Sequence, residues 1–162
     1  MNIFFKILIQ DYAHTFAHEM GHAVVARMIS PILKPKVFVY LNYMSTGLTR
    51  NIFKPLLSTR SISIINAAGP IFNMFFCLGK IAIINKCNAY IPKLLVSLFK
   101  ICTFFEIFLE VSNGIISAYK KDDRDFGVIA KNETFHLILA TAALASQTVL
   151  AMFLLLPSQE TV

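Results

Sequence analysis

Residues 3–29 read IFFKILIQDYAHTFAHEMGHAVVARMI, closed by the breaker Ser30-Pro31. A helix needs about 20 residues to cross a hydrocarbon core, and this run is long enough to do so. It is not uniformly apolar, because Asp11, His14, His18, Glu19 and His22 interrupt it. Ionisable side chains are expensive in lipid, so a cluster of them inside a membrane-length helix marks either an interhelical polar contact or a functional site. The same polar residues, with no small-residue cleavage site after a clean apolar core, argue against a cleaved signal peptide.

The order His18-Glu19-Met20-Gly21-His22 favours the functional alternative. Side chains four apart share a helix face, so His18 and His22 can present two imidazoles to one ion with Glu19 beside them. In such a set the glutamate is not a ligand but the proton carrier, taking a proton from the water that the ion acidifies. Zinc suits such an imidazole pair when a coordination position is left open for water. Gly21 lets a neighbouring backbone approach closely. His14, one turn earlier, reads as a wall residue or a support for the ligands, and Asp11 likewise.

Outside this helix, composition points to a membrane protein. Of the 162 residues, 56% are hydrophobic and 15% charged, more apolar than soluble domains, which run at roughly 45–50%. The net charge of +6 falls in the gaps between apolar runs rather than along an amphipathic face, so no nucleic-acid partner is expected. Cys77, Cys87 and Cys102 show no CxxC spacing and receive no disulfide or metal role.

Four segments have membrane length: about 3–29, 61–84, 93–116 and 135–156. Asn85-Lys86 is expected to stop the second, Asn113-Gly114 with Lys120-Lys121 the third, and Pro157 the last. The stretch from Lys36 to Tyr43 is rich in β-branched and aromatic residues, and a short hairpin turning near Ser45-Thr46-Gly47 is expected. The fold class that follows is an all-α polytopic membrane protein, one domain over 1–162, with about four transmembrane helices and a β-hairpin-like insertion between the first two. Arg27, Lys34, Lys36, Arg50, Lys54 and Arg60, with Lys120, Lys121, Arg124 and Lys131, would share one side of four crossings. The positive-inside rule then makes those long basic loops cytosolic, in a multi-pass protein with both termini opposite.

Ala17-His18-Glu19-Met20-Gly21-His22-Ala23 in a membrane helix resembles the site-2 protease family of intramembrane zinc metalloproteases. Ala68-Gly69-Pro70-Ile71-Phe72-Asn73 resembles that family's second signature, a Gly-Pro pair followed three residues later by Asn. The family's third signature ends in Asp-Gly and supplies the third zinc ligand. Here the corresponding stretch runs from Asn113-Gly114 to Asp125-Phe126-Gly127, with Phe126 splitting the pair.

The resemblance implies zinc held by His18, His22 and Asp125, with Glu19 as the catalytic residue and Gly69, Pro70 and Asn73 facing the substrate. Asp122, Asp123, Glu133 and His136 are alternatives for the third ligand. Whichever it is must dip to the depth of His22, and the apolar patch Phe126–Ala130 suits a re-entrant piece. The implied activity is hydrolysis of a peptide bond in or near a transmembrane segment of a membrane-protein substrate, with the lipid bilayer as the other partner. Extended backbone along Val37–Tyr43 would pair with the unwound substrate. An alternative is a catalytically inactive membrane scaffold or helix-binding protein on the same fold. A metal transporter fits less well, because the Glu19 position and the Gly69-Pro70 pair have no role in one. Glu106 and Glu110 then read as interhelical hydrogen-bond partners or as interface residues near the helix end.

Overall fold

The computed structural model describes residues 3–40, 46–50, 57–132 and 134–155. It is mostly helical. Among the described residues, five α-helices follow one another as α1 (Ile3–Ile29), α2 (Thr59–Cys87), α3 (Lys93–Lys120), α4 (Asp125–Asn132) and α5 (Thr134–Leu155). Between α1 and α2 lies a two-stranded antiparallel ribbon, β1 (Lys36–Tyr40) and β2 (Thr46–Arg50), in register Lys36 to Arg50 and Tyr40 to Thr46. Thr46 and Gly47, expected at the turn, instead begin β2, opposite Tyr40 and Val39. Ser45, Leu156 and Pro157 lie outside the described residues.

The expected helix ends shift where a tertiary contact outweighs the local breaker. At the end of α2, Asn85 remains helical and donates its side-chain amide to the Leu154 carbonyl of α5, 2.8 Å away. Asn113-Gly114 does not stop α3, because Gly114 is buried against the Phe126 ring, 3.2 Å from where a Cβ would stand. The helix closes seven residues later, where Lys121 takes the left-handed conformation (φ 50°) and its N–H returns to the Ala118 carbonyl. Pro70 lies within α2, buried, with the helix continuing on both sides. Packed neighbours can compensate for the hydrogen bond that a proline removes.

Two cores hold these elements. The larger joins Met74, Cys77 and Ile81 of α2 with Ile107 of α3, Phe126 and Ile129 of α4, and Ala140, Leu144 and Ala151 of α5. A smaller one sets Ala26 of α1 against Leu33 and Ile65. The turn after α1 is fixed by Arg27, whose guanidinium donates to the Leu33 carbonyl at 2.8 Å. Gly21 lets α1 lie directly on α2: a Cβ there would stand 2.6 Å from the Ala68 carbonyl oxygen and 2.7 Å from the Phe72 Cβ.

Two helices among the described residues, α2 and α5, are long and apolar enough to cross a membrane. Large apolar side chains face outward on the helices, including Phe75, Phe105, Phe108, Phe135, Ile138 and Phe153, each more than half exposed. Water would solvate such a surface poorly, whereas lipid tails do so at no cost.

Candidate metal centre

His18 and His22 project from α1 toward Asp125 in the first turn of α4, 107 residues later in the chain. The Nε2 of His18 lies 2.9 Å from one Asp125 oxygen, and the Nε2 of His22 lies 3.4 Å from the other. The rings meet edge to face with centroids 4.9 Å apart. One donor atom from each of His18, His22 and Asp125 falls within 4.8 Å of the others, the span of a single coordinated ion.

Each ring is oriented by a contact on its far nitrogen. The Nδ1 of His22 donates to the Ile65 carbonyl at 2.7 Å, which leaves its Nε2 lone pair facing Asp125. The Nδ1 of His18 lies 3.5 Å from a Glu110 oxygen of α3. Gly69 completes the cradle from α2. A Cβ there would overlap the His22 imidazole and stand 2.8 Å from the His18 Nε2, so any side chain would fill the space where the donors converge. Two imidazoles, one carboxylate and a space that a methyl group would occupy form a set that fits zinc.

Asp125 is positioned by the turn between α3 and α4. Ser117 donates its hydroxyl to Asp122 at 2.7 Å and accepts the Gly127 N–H at 2.8 Å. Gly127 sits so near this turn that a Cβ would stand 2.6 Å from the Asp122 nitrogen. Phe126, 4% exposed, anchors α4 on α3. The pKa of Asp122 is held at about 2, chiefly by its hydrogen bond from the Arg124 guanidinium and then by that from Ser117.

Other carboxylates considered from the sequence are engaged elsewhere. Asp122 pairs with Arg124, and Asp123 is exposed and pairs with Lys131. His136 stands on α5, outside the donor group, and Glu133 lies outside the described residues. Glu19 is buried at 8% exposure and lines, with His18, His22 and Asp125, a cavity of about 680 Å³. Pro70, Asn66 and Asn113 share its wall.

Asn73, expected to face the substrate, is 1% exposed and forms no part of that wall. Its amide donates to Glu110 at 2.6 Å and to the Nε2 of His14 at 2.7 Å, one layer behind the histidine pair. Asn66 and Glu110 line the cavity without having been marked by any motif; polar residues inside apolar helices were the only signal for them. A second donor group, His14, Cys77 and Glu106, also falls within 4.8 Å. The Lys80 ammonium pairs with Glu106 and lies over the Phe76 ring, so a cation from the chain itself already occupies that position.

Family models, curated proteins and solved structures were all compared with the chain, and none matches it.

Proposed function

We propose that this protein is an intramembrane zinc endopeptidase of the site-2 protease type, cleaving a peptide bond in or beside a transmembrane segment of another membrane protein. The observation that carries the proposal is the convergence of His18, His22 and Asp125 on one cavity with Glu19 in its wall. Chance proximity does not account for a glycine that clears space at the meeting point, or for imidazoles turned with Nε2 inward.

Zinc bound there supplies a Lewis acid for the scissile carbonyl and acidifies a water. The chain's own residues do the rest. Glu19 accepts a proton from the attacking water and returns it to the leaving amine. Ile65 keeps the His22 ring in place through its carbonyl. Ile62, Ile65 and Val128 give the cavity an apolar side that accommodates hydrophobic substrate side chains. A helical substrate must unwind before attack, and the ribbon of β1 and β2 offers extended backbone with which to pair it.

In this reading α1 and α3 cross the bilayer together with α2 and α5. Several of the polar residues that lower the apolarity of α1 and α3, His18, Glu19, His22, Glu110 and Asn113, line the site. The basic loops at Lys34, Lys36 and Arg60 and at Lys120 to Lys131 lie in the cytosol.

The test is elemental analysis of detergent-purified protein together with cleavage of a panel of single-span reporters. Folded wild type carries about one zinc per chain, and His22→Ala and Asp125→Ala lose it. Glu19→Gln keeps the zinc while cleavage falls about 10²–10⁴-fold. Zinc-free folded wild type, or a Glu19→Gln variant that cuts normally, sinks the reading.

A further inference from the structure

An imidazole that binds a metal through one nitrogen needs a partner for the other, and the two histidines differ in theirs. His22 uses the Ile65 carbonyl, a neutral backbone acceptor. His18 turns its Nδ1 to Oε1 of Glu110, at 3.5 Å. Glu110 is itself held: its Oε2 accepts a hydrogen bond from the Asn73 amide at 2.6 Å, and the same amide donates its other hydrogen to His14 at 2.7 Å. Side chains from α1, α2 and α3 therefore meet in one chain of contacts, His14 to Asn73 to Glu110 to His18, ending at Asp125.

We infer that Glu110 is a positioning residue for the metal centre, accepting the His18 Nδ1–H so that Nε2 is the lone-pair nitrogen facing Asp125 and His22, with Asn73 fixing the carboxylate in turn. A carboxylate behind a ligating histidine sets its tautomer and ring angle and raises its basicity. On this geometry Asn73 acts on the reaction through Glu110 and His18 rather than by touching substrate. The inference rests on the metal-site reading above.

The experiment measures zinc affinity by chelator competition, and the absorption of the cobalt-substituted protein, in detergent-purified full-length variants. Glu110→Ala should bind zinc about 10–100-fold more weakly and shift the cobalt bands, as loss of such a partner does elsewhere. Glu110→Gln should weaken binding by less. Its NH2 replaces one of the two carboxylate oxygens and so faces either the His18 or the Asn73 donor, and some loss remains. Glu106→Gln is the control, because Glu106 lies one turn away on α3 and pairs with Lys80 without touching His18. It removes a half-buried interhelical ion pair and should leave zinc affinity and cobalt spectrum at wild-type values.

Wild-type affinity and spectrum in folded Glu110→Ala overturn the inference while leaving the metal site standing. If Glu110→Ala does not fold, Glu110→Gln decides on the same readouts, and unchanged binding overturns it. Should wild type itself take up neither ion, the metal-site reading falls and this inference with it.

Discussion

Gly69 shows how strictly the site depends on single atoms. Its missing Cβ is the space between two imidazoles, whereas the same atom on Gly79, nearly three turns further along α2, would meet nothing within 4 Å. Gly69→Ala should therefore abolish stoichiometric zinc, measured by elemental analysis, while Gly79→Ala keeps it and gains a few tenths to about 1 kcal/mol from helix propensity. Acid sensitivity is likewise local. Because Asp122 is held at about 2 in the folded protein, against an ordinary value of 3.8, its contribution to stability is present above pH 4 and lost as pH falls toward 2. Asp122→Asn should lack that part of the acid slope in thermal midpoints measured between pH 2 and 5. The difference should shrink in high salt, since the group is partly open to solvent. His18, Glu19 and His22 were legible in the sequence because helix periodicity alone puts them on one face. Glu110 was not, since no spacing rule connects it to a histidine 92 positions earlier and only packing brings α3 to α1. Asn73 was legible as a polar residue that matters, but its direction depended on the rotation of α2.

Among the elements, α1, α2, α3 and α5 could be read from apolar length, whereas α4 could not. Residues 120–133 carry a charge pattern typical of a solvated loop, and the burial of Phe126, Gly127 and Ile129 is decided by the groove they fill. The split of Asp-Gly by Phe126 has a use here. Phe126 packs on Gly114, and that contact seats Asp125 opposite the histidines. The ribbon supplies another element-level expectation. Single prolines at Val37, Phe38 and Val39 remove one backbone donor each. Those whose N–H points away from β2 should leave the fold intact by circular dichroism and lower reporter cleavage. Full cleavage by every folded proline variant would remove β1 from substrate binding.

For the whole molecule, charge distribution makes a directional claim that geometry alone does not. With native cysteines replaced, a cysteine at Lys34 or Arg124 should react with an impermeant maleimide only from the cytosolic face of oriented vesicles, and one at Tyr90 only from the other. Tyr90 is 89% exposed in the turn between α2 and α3, so reagent access does not limit the result. Labelling of Lys34 and Arg124 positions from opposite faces would break the four-crossing arrangement. Overall helical content, and two helices long and apolar enough to cross a membrane, were legible because composition and run length are additive properties. The relative placement of helices was not, because it rests on contacts such as Gly21 on Ala68 and Asn85 on Leu154 that no local window contains.

The donors of the centre are divided between an early helix and a turn 107 residues later. A ribosome therefore releases both histidines and Glu19 well before Asp125 is synthesised. If the proposed zinc site is right, the nascent chain throughout that interval would hold only two of three ligands, so a translating polypeptide would be unarmed and competence would arrive only with α4.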